Sequence, residues 1–189
     1  MPRFLVGATV DTWDFDAAYA AKDGDIIEFT PNLTMNFTKE PFTEITKDIT
    51  IIGHVEGNTF LNTITGKLRV SNKAKVTFQN LWMSVIENNN MFRITGEAEV
   101  TFENCVLQSE FPENEHFLLF SEEKSKVNFK EFTTKLPDKH QLGMKFVHST
   151  VSIQDSTIQN RLWIREDSEL EFVRSKMECS RPTSLWIDD

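Results

Sequence analysis

Apolar–polar–apolar triplets recur along the chain and predict one short strand many times over. The clearest pair is "VTF", which stands at 76–78 and again at 100–102. The other members of the same two columns lie at 27–29, 49–51, 127–129, 151–153 and 170–172. Alternation with a period of two is the pattern of a strand with one buried face. Seven starts at intervals of 19 to 27 residues therefore predict a repeated structural unit.

Two further apolar segments accompany these triplets in most cycles. A second strand precedes the later starts at 68–70, 92–94, 118–120, 144–146, 162–164 and 185–187. A third patch follows the first strand at Trp82 and Met83, Val106 and Leu107, Phe132, Ile158 and Met177. An antiparallel sandwich also gives short alternating strands, but it does not explain why one residue class recurs at the same point of every cycle. The pattern therefore predicts an all-β parallel β-helix of about six to seven coils.

Polar residues mark the turns between these strands. Asn80 and Asn104 fall in one column directly after the first strand, and Glu131 and Asp155 continue that column. Asn tolerates the left-handed backbone region and bonds its own turn, so stacked turns favour it. Because neighbouring parallel strands lie about 4.8 Å apart, we expect the Asn side chains to hydrogen-bond along the stack.

Residues 12–29, "TWDFDAAYAAKDGDIIEF", resemble the entry to right-handed parallel β-helix proteins of the pectate-lyase-like superfamily. In that family a short Ala-rich helix runs into A-x-x-G-D and the first coil strand. Thr12 is a suitable N-cap here, and Gly24 suits the position after the helix end. The resemblance implies one right-handed β-helix domain over 1–189, with an N-terminal strand and capping helix in 1–24 and the coils in 25–189.

Composition and charge narrow the partner classes. The chain has 189 residues, is 39% hydrophobic and carries a net charge of −9, so we expect neither nucleic acid nor an anionic membrane surface as a partner. No apolar run approaches the roughly 20 residues needed to cross a bilayer. The start of the chain has no secretory signal pattern, and two Cys do not make a disulfide framework, so an intracellular setting is favoured.

The best enzymatic arrangement pairs Glu131 with Asp155, one coil apart and so near the 5 Å spacing of a retaining glycosidase. The alternative is that both replace Asn in a turn ladder, with Arg174 on the next coil offsetting their charge. Pectate lyases, as the resemblance implies, carry clustered acidic calcium ligands and a catalytic Arg on one strand face. Here the outward positions of the first strand are mostly Thr, Asn and Ser, which predicts a protein without catalytic residues, cofactor or metal.

Coil length varies in a few segments that we expect on one edge of the solenoid. These segments are 54–66, 86–90, 108–116, 134–143 and 180–184. His116 in 108–116 and His140 in 134–143 lie beside carboxylates, a set that suits either a transition metal or, as we prefer, an ordinary polar surface. Solenoid edges commonly bind partners. The candidate binding residues on this edge are Asn89, Phe111, Glu113, Glu115, His116, Asp138 and His140.

These observations favour a non-catalytic β-helix module for protein interaction or assembly, acting through the loop edge or a coil end. The alternative is a carbohydrate-binding or polysaccharide-degrading β-helix protein. The last strand, "SLWIDD", has no helix or polar coil after it, which predicts a longer polypeptide or stacking on another subunit. Bacterial members of the resembled superfamily include N-terminal modules that precede ATPase or surface domains.

Overall fold

The computed structural model describes residues 3–6, 21–37, 42–85, 91–109, 117–135, 143–178 and 185–188. Within these ranges the chain forms short strands arranged as a parallel β-solenoid of about six turns. Each coil contributes one strand to each of three parallel sheets, so the solenoid fold predicted from the repeat is confirmed. In the described part of the chain, no helix is both long enough and apolar enough to cross a membrane.

The first sheet has eight strands, and its order follows the chain. Its strands are β1 (Arg3–Val6), β2 (Asp25–Phe29), β5 (Ile49–Ile52), β10 (Lys75–Gln79), β13 (Glu99–Glu103), β16 (Lys126–Lys130), β19 (Thr150–Gln154) and β22 (Glu169–Val173). Val76 pairs with Val100 and Phe78 with Phe102, as the repeated triplets predict. The central outward position holds small polar residues on most strands.

The second and third sheets have seven strands each. The second sheet contains β3 (Thr34–Phe37), β8 (Thr63–Gly66), β11 (Trp82–Val85), β14 (Val106–Ser109), β17 (Thr133–Lys135), β20 (Thr157–Ile158) and β23 (Lys176–Met177). The third contains β4 (Thr43–Ile45), β9 (Leu68–Val70), β12 (Phe92–Ile94), β15 (Leu119–Ser121), β18 (Met144–Val147), β21 (Leu162–Arg165) and β24 (Leu185–Asp188). We call β2, β3 and β4 the first coil, and β22, β23 and β24 the last coil.

Aromatic rings form the centre of the core. Phe78, Phe102 and Phe129 stack along the solenoid axis with ring centroids 5.3 and 5.4 Å apart and nearly parallel planes. Phe92 meets Phe102 edge to face at 5.0 Å from the third sheet. All four side chains are almost completely buried. Equivalent positions of successive coils therefore share one continuous apolar axis, because parallel pairing keeps each column in register.

Left-handed residues close the turn between the first and second sheets. Asn80 and Asn104 have φ values of 58° and 48°, and Glu131 and Asp155 continue the column at 52° and 50°. The Asn104 side-chain amide donates to the Asn80 Oδ1 at 2.7 Å. The predicted Asn ladder is therefore confirmed, since Asn accepts this backbone region at little cost.

The register of the earliest coil differs from the prediction. Ile27 pairs with Ile51 rather than Ile49, and Asp25 takes the place opposite Ile49. The Asp25 carboxylate is buried and accepts a hydrogen bond from the Lys22 backbone N–H at 2.6 Å. This hydrogen bond holds a polar residue at the inward position where β2 begins. A register predicted from apolar alternation alone is therefore wrong by two residues.

The predicted alignment of 118–120 is also wrong by one position. Leu119 pairs with Phe92, and Phe120 lies opposite Arg93 on the outer side. Ser121 therefore takes an inward position, where an apolar residue was expected. Its hydroxyl is fully buried and lies 2.6 Å from the Ser125 Oγ and 3.0 Å from the Ser149 Oγ, so the polar group is satisfied inside the core.

The variable segments do not all leave the solenoid at one corner. Segment 54–66 contains an antiparallel hairpin, β6 (Val55–Glu56) with β7 (Thr59–Phe60), between the first and second sheets, and its last residues form β8. The other variable segments connect the second sheet to the third, but 86–90, 110–116, 136–142 and 179–184 lie outside the described residues. The predicted capping helix also lies outside them, since 7–20 are not described.

Candidate interaction surfaces

The seven candidate binding residues of the loop edge lie outside the part of the chain that the structure describes. They are Asn89, Phe111, Glu113, Glu115, His116, Asp138 and His140. The described residues therefore give no geometry for this group. The described surfaces consist of the strands and turns of the three sheets.

Asp155 is engaged in an ion pair at a turn. The Arg174 guanidinium donates from Nε to Oδ1 and from a terminal nitrogen to Oδ2 of Asp155, both at 2.7 Å. These hydrogen bonds lower the pKa of Asp155 below its usual value. A glycosidase general acid requires the opposite shift. The geometry thus agrees with the turn-ladder interpretation of Glu131 and Asp155.

The two described histidines each face a single carboxylate. His54 Nε2 lies 3.3 Å from Glu28 Oε1, and His148 Nε2 lies 3.3 Å from Glu166 Oε2. No group of three or more His, Cys, Asp or Glu side chains in the described ranges is arranged to hold a metal ion. Cys105 is buried, and this burial raises the pKa of its thiol to about 12, so it is not poised as a nucleophile.

The last coil exposes four large apolar side chains, and three of them, Phe172, Leu185 and Ile187, continue columns that form the core in other coils. Phe172 is 38% exposed, Leu185 41%, Trp186 47% and Ile187 65%. Leu185 and Ile187 stand in the columns of Leu162 and Ile164, which are buried one coil earlier. Strands β22, β23 and β24 also end the strand order of their sheets. Among the described residues, the last coil therefore presents both apolar surface and strand edges.

The first coil differs in this respect. Its inward side chains Met35, Phe37 and Ile45 are only 2 to 4% exposed. Among the described large apolar side chains at this end, Leu5 on β1 is exposed at 56%, and it points outward opposite Glu28. The described inward side chains are therefore buried in the first coil and partly exposed in the last.

A row of cations and aromatic rings runs along the outer face of the third sheet. We call it the outer stripe, and its members are Arg69, Arg93, Phe120, Lys145, Trp163 and Trp186, paired in register. Lys145 Nζ lies 5.4 Å from the Phe120 ring centroid. The rings of Trp163 and Trp186 stack at 5.6 Å with an angle of 13° between their planes. These distances are typical of cation–π and stacked aromatic contacts.

Several donors along this face lack hydrogen-bond partners among the described residues. They are Trp163 Nε1, Arg69 Nε and Arg165 Nε, each shielded from solvent. The three arginines nevertheless face carboxylates: Arg93 donates to Glu122 Oε1 at 2.7 Å, and a terminal nitrogen of Arg165 donates to Asp188 Oδ2 at 2.9 Å. Arg69 Nε lies 3.9 Å from Glu44 Oε1. Unpaired buried donors are costly, and a ligand with acceptor groups satisfies them. The outer stripe thus has the chemistry to receive an anionic or oxygen-rich ligand.

Sequence reasoning missed the outer stripe, although a signal for it was present, and it named a coil end as an interaction surface without identifying the exposed residues. The second residue of each third-sheet strand faces outward, and in chain order these residues are E, R, R, F, K, W and W, the first being Glu44 on β4. Phe111 is the one aromatic residue among the seven candidates predicted from the sequence. The structure adds Trp163 and Trp186, together with the half-buried Phe117 and Phe120.

The three continuous parallel sheets define the class of protein, a parallel β-solenoid of about six turns. Comparison with known proteins adds no closer assignment: no family model matches the chain, and no curated protein or solved structure matches it. Function is therefore argued from the two surfaces.

Proposed function

We propose that this chain is a non-catalytic β-helix module for protein interaction or assembly, of the right-handed pectate-lyase-like type. Its interaction surface is the last coil. The observation that carries the proposal is the exposure of Phe172, Leu185, Trp186 and Ile187, while the core side chains of the first coil are shielded. Contiguous apolar surface of this kind marks an interaction site.

The strand edges give the same surface a means of recognition. One terminal strand from each of the three sheets presents backbone N–H and C=O groups at the last coil. A partner that adds strands here satisfies those groups and continues the sheets. Covering the exposed part of each apolar side chain contributes on the order of 1 kcal/mol. The loop edge between the second and third sheets is proposed as an additional contact region.

The non-catalytic part of the proposal is supported by the turn carboxylates. Asp155 is bound by Arg174, and Glu103 accepts hydrogen bonds from Lys130 at 2.6 Å and Gln79 at 2.7 Å. These contacts lower the pKa of both carboxylates. Groups held ionised in this way offset charge along the turns and do not deliver a proton near neutral pH.

Light scattering across a range of protein concentrations tests the proposal. Wild type is expected to self-associate, and Ile187→Lys to weaken association because it places a charge in the open end. Leu5→Lys is the matched control, since Leu5 is similarly exposed but lies on β1 at the other end. A wild-type chain that stays monomeric at every concentration, or equal effects of the two substitutions, contradicts the proposal.

The outer stripe favours a second candidate function, binding of an acidic carbohydrate. Its cations, stacked Trp rings and unpaired donors suit a ligand with carboxylate and hydroxyl groups. Polygalacturonate is the probe, with a neutral glucan as the control polymer. Quenching of Trp fluorescence by the acidic polymer, reduced in Lys145→Glu, is expected. No response, or the same response to both polymers, rules this candidate out.

A further inference from the structure

We propose that the outer stripe binds a proline-rich segment of another protein, held in the polyproline II conformation and carrying an acidic residue between its prolines. This inference goes beyond the proposed function, because it concerns the outer face of the third sheet and does not depend on the last coil. The residues that carry it are Phe120 on β15, Lys145 on β18 and Trp163 on β21, with Phe117 beside them.

Three aromatic rings and one ammonium group form a connected surface on this face. The Phe117 ring stacks on Phe120 with centroids 6.5 Å apart and meets Trp163 edge to face at 5.8 Å. Lys145 Nζ lies 5.5 Å from the Phe117 centroid and 5.4 Å from the Phe120 centroid. All four side chains are half-buried, so each presents part of its surface to solvent. Aromatic-lined surfaces of this kind dock proline-rich segments.

The spacing of the rings selects the conformation of the ligand. Lys145 pairs with Phe120 on one neighbouring strand and with Trp163 on the other, so the two ring positions are two strand spacings apart, about 9.6 Å. Three residues of polyproline II helix span about 9.3 Å and return to the same face. A β-strand repeats one face about every 6.7 Å, and two turns of α-helix span about 10.8 Å, so both fit less closely. Prolines three residues apart therefore fall on Phe120 and Trp163.

The charges of the stripe favour one acidic residue in the ligand. Arg93 donates to Glu122, and Arg69 lies 3.9 Å from Glu44. Lys145 is the one cation of the stripe that has no carboxylate partner among the described residues. It lies between the two ring positions, where the residues that separate the prolines pass. A carboxylate there meets a cation that no described group of this chain neutralises.

The same balance of charge separates this ligand from an acidic carbohydrate, which is the competing occupant of the outer stripe. A polymer with a carboxylate on every unit meets a single unpaired cation of the stripe and is repelled by the net charge of −9. A proline-rich segment with one acidic residue needs only that cation. Its conformation is also largely preset, so little conformational entropy is lost on binding.

Fluorescence anisotropy of a labelled peptide tests the inference. The probe consists of repeated Pro-Pro-Ala units with one central Ala replaced by Glu, and its ends are acetylated and amidated to remove their charges. Wild type is expected to bind it, and Lys145→Glu to weaken binding about tenfold, because the variant sets like charges against each other. Lys126→Glu is the matched control, since Lys126 is an exposed cation on the first sheet, and the affinity is expected to stay unchanged.

The rings are tested by comparing Trp163→Ala with Trp82→Ala. Trp82 is a suitable control because it lies on the second sheet and also carries a cation, with Lys135 Nζ 4.6 Å from its ring centroid. Only Trp163→Ala is expected to weaken the peptide complex, by about tenfold, with the circular dichroism of both variants unchanged.

Two further peptides separate charge from conformation. In one, Gln replaces the central Glu; in the other, Gly-Ser replaces every Pro-Pro and the Glu is kept. Each is expected to bind wild type about tenfold more weakly than the probe, because one lacks the carboxylate and the other lacks the preset conformation.

Failure of the probe to bind wild type overturns the inference, as does equal binding of the flexible peptide. Polygalacturonate that binds wild type, loses affinity in Lys145→Glu and is not displaced by the probe assigns the stripe to carbohydrate and also overturns it. Ile187→Lys is expected to bind the probe like wild type. A chain that binds the probe but does not self-associate therefore contradicts the proposed function and supports this inference.

Discussion

The stacked Phe column contains one Phe in the interior of the solenoid and another on its last coil, so the same substitution can be made at two depths. Phe102 and Phe172 occupy the same column of the first sheet, with Phe129 and Ile153 between them. Phe102 is fully buried and its ring lies within 5.6 Å of the rings of Phe78, Phe92, Phe129 and Phe132. Phe172 lies on the last coil and is 38% exposed. We compare Phe102→Ala with Phe172→Ala.

The expected magnitudes follow from burial. Phe102→Ala removes a fully buried ring and leaves a cavity enclosed by other rings, so the loss of unfolding free energy is about 3–5 kcal/mol. Phe172→Ala removes a ring that is only about three-fifths buried, and water fills the space that it leaves. The loss there is roughly 1–2 kcal/mol, because only the transfer contribution remains. The interior substitution is therefore expected to cost at least twice as much.

Urea unfolding followed by far-UV circular dichroism measures both losses. Each substitution is made in the Ile187→Lys background, so that association through the last coil does not stabilise the chain. Phe102→Leu retains much of the ring volume and is expected to lose less than Phe102→Ala. Equal losses at residues 102 and 172, measured with unchanged m-values, refute the assignment of an enclosed column that opens at the last coil.

Three further predictions concern buried and paired polar groups. Asn62→Ala is expected to lower the free energy of unfolding in urea by about 2–4 kcal/mol, because the buried Asn62 side chain accepts from the His54 N–H and donates to the Thr30 and Leu33 carbonyls. Asn36→Ala is the control, and this exposed substitution is expected to lower it by less than about 0.5 kcal/mol. Since Arg174 lowers the pKa of Asp155 below 3.8, their ion pair stabilises the fold fully above that pH, and the stabilisation is lost as the pH falls further. Asp155→Asn is therefore expected to remove this part of the fall in urea midpoint at acid pH. The same pH dependence of the midpoint in the variant and in wild type contradicts the prediction. Cys105 should react with a thiol reagent only after unfolding, because burial raises its pKa to about 12; rapid labelling of native Cys179→Ser contradicts this.

The repeat predicted the fold because a solenoid forces equivalent residues into contact. Val76 and Val100 share a column only if successive coils lie directly above one another, and the parallel pairing places them so. The Asn80 and Asn104 turn was predictable for the same reason, since the left-handed conformation restricts the residues that occur there. Repetition thus converted weak local signals into a strong one.

The predicted register was wrong where a polar residue occupies an inward position in place of an apolar one. Asp25 and Ser121 occupy inward positions, and each is satisfied by partners from neighbouring turns rather than by its own strand. Alternation read from the sequence shifts to the nearest apolar residue in such cases, which gave Leu118 and Phe120 in place of Leu119 and Ser121. The partners that permit these exceptions become visible only in three dimensions.

The interaction surfaces were less predictable than the fold. A coil end was expected as an interaction surface, but the identity of the exposed residues required the register of β22 and β24. The outer stripe depends on which residue of each triplet faces outward. Because the predicted alignment of 118–120 was wrong by one residue, Phe120 was assigned to the inward face and not to the outer stripe. The loop-edge residues, including Phe111 and His116, remain a sequence prediction.

From β10 onward, a left-handed turn follows each first-sheet strand and makes neighbouring coils independent in length. Backbone bonds between equivalent turns, such as Asn80 N–H to Glu103 C=O at 3.2 Å, set the start of the second-sheet strand anew in each coil. An insertion or deletion in a connection between the second and third sheets therefore changes the length of that coil only, because the next such turn restores the alignment. One corner of this protein can therefore accept inserted or exchanged peptide in a single coil without altering the alignment of the others, which makes it a natural position for displaying foreign sequences.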